Sequence, residues 1–427
     1  MTTSMKYLIL SILLLTVTVV SASPYSKLDS LLQKREYFRL RDELQLRQYK
    51  KLSDARRLYY QAFVHNFFHE LELSRKEISQ LVGRYSKEFS DKEITSLLTR
   101  QIDNHVKLYQ YRLAHEVSQL MLTKYAHVLS LGEKEEILNS DIIWNELKDV
   151  PAQKAIINND TYIAGQRDMA RLLNIPVQFG DSTFLFVFDT GANISVINET
   201  YSKKSNLEPL LKPFKVRAIT GLQVTAHLAI ARTFKIGAIT IKNAVFMVFP
   251  DSALSFLNGL YKINGILGFP IIEQFKEVHI AKSDTISIPR EAARKNIGNF
   301  GIDGLVPVLN TIVGNDTLAF TFDTGAQTTV LNQSFFSKYQ DLIAETSEAF
   351  QLKEGGAGGI NYTSAFKLPS LTLVVDGEPV TIKKIAVKTT AAGGNDRYYY
   401  GNLGQDVMTQ FKEMIINFRY MYVQFVR

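Results

Sequence analysis

FVFDTGANISVIN, residues 186–198, returns 134 positions later as FTFDTGAQTTVLN, residues 320–332. Over 184–201 and 318–335, eight of eighteen positions are identical, among them both Phe residues before the Asp, the four residues DTGA, and the Val and Asn beyond. A second landmark repeats in the same order: GILGFPIIEQFKE from Gly265 and GNLGQDVMTQFKE from Gly401, at nearly equal distances from Asp189 and Asp323. Composition bias does not produce two ordered landmarks at matched spacing. The region after residue 160 is an internal duplication, with its joint near PREAARKNIGNFG, 289–301. Each half has the size of one small domain.

The repeated turn has a definite chemistry. Apolar residues carry the chain inward and stop at an Asp. The Thr offers a hydroxyl to neighbouring backbone, and the Gly admits close approach of another chain. A lone buried carboxylate is costly to ionise. Two copies related by approximate two-fold symmetry would bring two carboxyl groups face to face, where like charges favour one shared proton. Such a pair is both acid and base. One copy is half a site.

The rest of the chain narrows the possibilities. It has 427 residues, 46% apolar and 21% charged, which fits a globular protein of several domains. The net charge of +7 is diffuse. Much of it lies in Lys34, Arg35, Arg39, Arg41, Arg47, Lys50, Lys51, Arg56 and Arg57, read as a solvated helix face, with a patch for an acidic surface or anionic lipid as the alternative. The absence of cysteine excludes disulfides, thiol nucleophiles and thiolate zinc sites. Residues 160–427 alternate apolar and polar positions between turn signals such as Gly180–Asp181, Asp376–Gly377 and Gly393–Gly394–Asn395, the pattern of a β-rich region.

Residues 26–146 read as helix. Proline is absent between Pro24 and Pro151, and apolar residues recur at three and four, as in Tyr37, Leu40, Leu44, then Leu58, Ala62, Phe63, then Leu97, Leu98, Ile102. Ser74 with Glu77 and Ser90 with Glu93 have the spacing of capping boxes. The pairs of helices are generically similar to tetratricopeptide repeats, without a clean period. His65 and His69 stand one helical turn apart, but Asn66 occupies the place where a zinc peptidase needs Glu. An ordinary packed pair and no metal are expected.

The two halves resemble the retropepsin-like aspartic peptidases, and more distantly the pepsins. The resemblance rests on VFDTGANISVI (187–197), on TFDTGAQTTVL (321–331), which has Thr321 in an apolar place, and on the later apolar-Leu-Gly motif, met by Ile266, Leu267 and Gly268 and, with Asn402 departing in the first place, by Leu403 and Gly404. It covers about residues 160–427 and implies a mainly-β bilobal acid-protease fold with a first lobe at 160–290 and a second at 300–427; the all-α, tetratricopeptide-like domain at 23–150 and the signal at 1–22 that precede it are read from the residues alone. It implies Asp189 and Asp323 as catalytic residues in the turns Thr190–Gly191–Ala192 and Thr324–Gly325–Ala326. It implies dyad support from Ile266, Leu267, Gly268, Leu403 and Gly404, and no cofactor. Flap tips are expected in AITGLQV (218–224) at Thr220 and Gly221, and in KEGGAGGINY (353–362) at Gly355, Gly356, Gly358 and Gly359.

The implied activity is hydrolysis of peptide bonds in an extended peptide or protein substrate. A non-catalytic peptide-binding protein and a helical scaffold are the alternatives; Asp and Gly kept in both copies favour the enzyme. The helical region is expected to fold independently, to be dispensable for cleavage, and to serve as a prodomain, an inhibitor or a docking arm with a protein partner. No nucleic-acid partner is expected.

MTTSMKYLILSILLLTVTVVSASP, residues 1–24, carries one Lys before an apolar run from Tyr7 to Val20, then small residues. Val20 and Ala22 are spaced for signal-peptidase cleavage after Ala22, so export to a periplasm or beyond is expected, with no integral membrane segment afterwards. Intact-mass measurement of the mature protein should find Ser23 at its N-terminus; residues 1–22 retained would refute cleavage.

Overall fold

The computed structural model describes residues 25–217, 223–356, 359–391 and 394–427. Seven α-helices come first: α1 Ser26–Gln33, α2 Tyr37–Leu44, α3 Asp54–Phe67, α4 Leu71–Arg84, α5 Asp91–Lys107, α6 Tyr111–Lys124 and α7 Leu131–Leu147. Among the described residues no helix is long and apolar enough to cross a membrane. Tyr37, Leu40, Ala62, Phe63, Leu97 and Leu98 are buried, as their spacing requires.

The helix ends explain the local folding. Ser90–Glu93 forms a complete capping box, and so does Ser130–Glu133, which the sequence reading passed over. Ser74 does not cap. It lies inside α4, where its buried hydroxyl donates to the Ala62 carbonyl (2.7 Å) and accepts from Asn104 Nδ2 (2.9 Å). The helix begins earlier because the chain turns sharply at His69. Arg35, His69 and Tyr109 each have positive φ (55°, 62° and 57°). After each, the next N–H reaches back to a carbonyl of the preceding helix: Glu36 to Leu31, Glu70 to His65, Gln110 to His105. These are αL helix ends made without glycine. The hairpins α3–α4 and α5–α6 thus repeat, with His65, Tyr85 and Ser90 answered by His105, Tyr125 and Ser130 at a constant shift. That period lies mostly in turn conformation, and little of it in residue identity.

Seven strands correspond between the two lobes, whose main sheets have nine and eight strands among the described residues. The first contains β1 Leu173–Phe179, β2 Ser182–Phe188, β3 Ser195–Asn198, β4 Glu208–Arg217, β5 Gln223–Ile236, β6 Ile239–Phe249 and β7 Gly265–Leu267. The second contains β8 Val306–Val313, β9 Asp316–Phe322, β10 Val330–Leu331, β11 Glu348–Gly356, β12 Gly359–Val375, β13 Glu378–Lys388 and β14 Gly401–Leu403. The pairings match strand for strand. β2–β7 and β9–β14 are parallel, as are β3–β6 and β10–β13; β3–β7 and β10–β14 are antiparallel. β1–β5 and β8–β12 close a ring in each lobe. Gly180 (φ 56°) and Asp376–Gly377 (φ 49° and 80°) make the tight hairpin turns expected of them, whereas Gly393 lies outside the described residues.

A five-stranded antiparallel sheet ties the lobes together. Its order is Thr161–Ala164, Thr285–Ile288, Glu277–Ala281, Glu413–Asn417, Tyr422–Val426. At its centre the chain after the first repeat pairs with the chain after the second, Glu277 opposite Asn417 and Ala281 opposite Glu413. Phe275 and Phe411, the Phe of each FKE, are buried beneath it.

The helices are not packed as a separate body. Their core includes Val308 and Tyr399 of the second lobe, while Tyr109, Tyr111 and Leu147 pack with Leu228, Ile230 and Val245 of the first. Phe67 fills the space left by the missing side chain of Gly301. The Tyr109 hydroxyl stands 2.6 Å from the Pro270 carbonyl and 2.7 Å from Glu273 Oε1. Arg35, read above as part of a solvated face, instead reaches Asp303 (2.7 Å), whose side chain is 1% exposed. Arg100 bonds the other oxygen of Asp303 (3.0 Å), and the Tyr399 hydroxyl donates to the oxygen held by Arg35 (2.9 Å). Nothing local in Phe300–Asp303 announces partners from α5 and from the turn after α1, hundreds of residues earlier.

Burial alone would raise the Asp303 carboxyl. Arg100 and Arg35 outweigh it and hold the group down at about 2. A carboxyl depressed on folding stabilises the protein above its unfolded value, near 3.8, and that contribution fades as pH falls through about 2. Asp303→Ala leaves two arginines uncompensated and should cost about 3–5 kcal/mol at neutral pH. Denaturant unfolding should also show its stability less dependent on pH between about 4 and 2. An Asp303→Ala protein as stable as the parent would mean that the cluster does not join helices to lobe.

Candidate active site

β2 and β9 run into the two DTGA turns because Phe186, Val187 and Phe188, and then Phe320 and Phe322, are buried in the lobe cores. Each Asp leaves its strand with its N–H still bonded across: Asp189 N–H to the Leu267 carbonyl and Asp323 N–H to the Leu403 carbonyl, 3.0 Å each. Leu267 and Leu403 are fully buried, which fixes β7 and β14.

Gly268 and Gly404 follow. A Cβ at Gly268 would lie 2.6 Å from the Ala192 carbonyl oxygen, and one at Gly404 2.8 Å from that of Ala326. Only glycine lets these segments approach the turns. Their N–H groups donate to Ser195 Oγ (2.9 Å) and Thr329 Oγ1 (3.1 Å). The repeated Asn is explained in the same way. Asn198 Nδ2 donates to the Ile263 carbonyl (3.3 Å) and Asn332 Nδ2 to that of Tyr399 (3.1 Å), tying down the entry to β7 and β14.

The turns interlock through Thr190 and Thr324, both buried. The Thr190 N–H donates to Thr324 Oγ1 (3.0 Å), and the Thr324 N–H to Thr190 Oγ1 (3.1 Å). Each hydroxyl then donates across, Thr324 to the Phe188 carbonyl (2.9 Å) and Thr190 to that of Phe322 (3.4 Å). The exchange is reciprocal, and no buried donor is left over.

This places the carboxyl groups of Asp189 and Asp323 side by side. A Cβ on Gly191 would run into the Asp323 carboxyl, and one on Gly325 into that of Asp189. Asp189 Oδ1 accepts the N–H groups of Gly191 (2.8 Å) and Ala192 (3.1 Å); Asp323 Oδ1 accepts that of Gly325 (2.7 Å). Burial, and then the facing charge of Asp323, push the Asp189 carboxyl well above the usual carboxylate range, against the pull of its two backbone donors. The arrangement can hold one proton between two carboxyl groups.

Of the sequence-derived residues, Ile266, Leu267, Gly268, Leu403 and Gly404 meet beneath the turns. β4–β5 and β11–β12 form long hairpins, with Gly355 and Gly356 opposite Ile360 and Gly359 at the end of the second. Thr220, Gly221 and Gly358 lie outside the described residues. His65 accepts or donates at Glu77 (2.8 Å), His69 turns the chain at the end of α3, and no cluster of potential metal ligands occurs among the described residues. The sequence reading missed the contact of Asn402 with Asp323, although it marked both Asn402 and Thr321 as departures from the motif.

Because the two approaches are reciprocal, Gly191→Ala and Gly325→Ala should each destabilise the protein by about 1–3 kcal/mol, the cost of forcing a methyl into filled space. Unfolding of the two single variants checks this; a neutral result at either position would show that the turns do not touch as described.

Residues 175–271, from β1 to the turn after Gly268, match the aspartyl protease family. No curated protein matches the chain. The second lobe repeats the first strand for strand and supplies the facing turn. The β-rich part of the chain is a retropepsin-like aspartyl protease fold, carried behind an all-helical region.

Proposed function

We propose that this protein is an exported aspartic endopeptidase whose catalytic pair is Asp189 and Asp323. The observation that carries the reading is the reciprocal contact of the two turns, in which each glycine lies against the other copy's aspartate. The family match supports the peptidase-like activity, and the apolar leader at residues 7–20 supports export.

One proton is shared by the pair. The charged carboxylate takes a proton from a water held between the two groups. The water oxygen bonds to the carbonyl carbon of the substrate amide, and the protonated carboxyl gives its proton to the carbonyl oxygen. A neutral gem-diol results, and the pair still holds one proton. In the second step the newly protonated carboxyl gives its proton to the amide nitrogen. Its partner recovers a proton from a gem-diol hydroxyl, the C–N bond breaks, and a carboxylic acid and an amine leave. No metal is needed for this balance. The hairpins β4–β5 and β11–β12 are suited to cover an extended peptide and to bond its backbone.

Groups acting as one unit are not additive. Asp189→Asn and Asp323→Asn should each remove nearly all cleavage of an unstructured protein substrate, and the double variant should be scarcely worse. The pH profile should be bell-shaped, with two apparent values belonging to the pair. Substantial cleavage by either single variant would sink the paired mechanism.

A further inference from the structure

The strands beneath the carboxyl groups keep the same register in both lobes. Ile266 stands opposite Val187, and Asn402 opposite Thr321. The first lobe fills this pair of positions with apolar side chains; the second fills both with polar ones. The two departures are one device. The Thr321 hydroxyl lies 2.7 Å from Asn402 Oδ1, which turns the amide so that Nδ2 faces Asp323 Oδ2 at 3.2 Å. Lobe 1 has nothing comparable, since Ile266 carries no donor.

Each carboxyl therefore accepts two N–H groups, distributed differently. Asp189 takes both, from Gly191 and Ala192, on Oδ1. Asp323 takes one on Oδ1, from Gly325, and one on Oδ2, from Asn402. Among the described residues no N–H is directed at Asp189 Oδ2. A donor aimed at a carboxylate oxygen favours its unprotonated form, so the proton of the pair costs least on the oxygen that has none. Other charged groups around the turns are engaged elsewhere: Arg167 with Asp284 (2.6 Å), Asp406 with Thr329 (2.7 Å), Lys388 with Glu354 (2.7 Å).

We propose that Asn402 is a positioning residue that holds the negative charge of the pair on Asp323 and leaves the shared proton on Asp189 Oδ2. The proposal rests on the shared-proton reading above and assigns its roles. Asp323 takes the proton from the attacking water, and Asp189 gives its proton to the substrate carbonyl oxygen. The upward push on the Asp189 carboxyl from burial and from Asp323 agrees with this order.

The test is the full-length double variant Thr321→Val with Asn402→Ile, which gives the second lobe the apolar pair that the first already accommodates. A hydrogen bond to a charged group is worth about one to two pH units in the acid limb. Loss of the Asn402 donor should therefore raise that limb by about this much and lower kcat about ten- to hundred-fold, with KM changed little. In parallel, carboxyl carbon NMR of the Asp-labelled protein without substrate should show the Asp189 signal protonated to higher pH than the Asp323 signal in the parent. The difference should narrow in the variant. Asn402→Ala, which only shortens the side chain, should move both readouts the same way and serves if the double variant folds poorly. An acid limb and an NMR titration left unmoved by both variants would reduce Asn402 to a space-filling residue and overturn the proposal. Cleavage that survives Asp323→Asn would instead overturn the pair itself, so the two failures are distinguishable.

Discussion

The exchange of hydrogen bonds between Thr190 and Thr324 is the constraint on which the rest of the structure depends. Each threonine receives the other's N–H and passes its own hydroxyl proton to the carbonyl that ends the opposite strand. Side chain and backbone of both turns are thereby satisfied in a buried place where an unpaired group would cost on the order of 1–3 kcal/mol. The bonds also fix how far apart two carboxyl groups stand that would otherwise repel. Each lobe has a closed ring of strands, but the apolar core runs through both, and neither lobe can satisfy its own threonine. The five-stranded sheet built from both repeats supplies the burial that keeps the turns in contact, with Phe275 and Phe411 beneath it.

The duplication was legible because both its landmarks are sterically demanding. DTGA cannot vary where the glycine faces a carboxyl and the threonine must reach across. Gly268 and Gly404 cannot vary where a Cβ would strike a carbonyl oxygen. These constraints each demand one residue type and so leave identities behind. The helical repeat was not legible for the opposite reason. Its invariant is a left-handed turn at Arg35, His69 and Tyr109, three residue types that do not advertise positive φ. Ser74 misled because serine serves equally well as a cap or as a buried donor to a neighbouring helix, and only the packing decides. Arg35 misled because its partner, Asp303, is separated from it by nearly the whole helical region and the first lobe. Thr321 and Asn402 were both visible as departures, but the link between them exists only once β9 and β14 lie side by side.

The two lobes share one framework and differ in what it is attached to. Asn198 and Asn332 make the same bond, to the carbonyls of Ile263 and Tyr399. Ile263 is a partly buried apolar residue with nothing further to hold. Tyr399 extends from the same position into the buried cluster of Asp303, Arg35 and Arg100, where its hydroxyl is a donor. The next residue, Tyr400, bonds by its N–H to the Ala319 carbonyl in β9, and β14 begins immediately after. A short path of ion pairs, one hydrogen bond and two residues of chain thus runs from the helical region to the strand that holds Asp323 N–H and presents Asn402. In the first lobe the helical region reaches the other end of the corresponding strand, where the Tyr109 hydroxyl donates to the Pro270 carbonyl three residues beyond β7.

That asymmetry has a physical logic. In the first lobe the pair Val187 and Ile266 is held by apolar contact alone, which is tolerant of small displacements. In the second lobe the pair Thr321 and Asn402 depends on hydrogen bonds of fixed length and direction, and a shift of a few tenths of an ångström in β14 would change the aim of the amide at Asp323. A polar device of this kind demands a stiffer support than an apolar one. The support is present on that side, as a buried ion cluster whose cations come from α5 and from the turn after α1. The helical region packs on both lobes, and its ion cluster lies in the half of the molecule where geometry has the least slack.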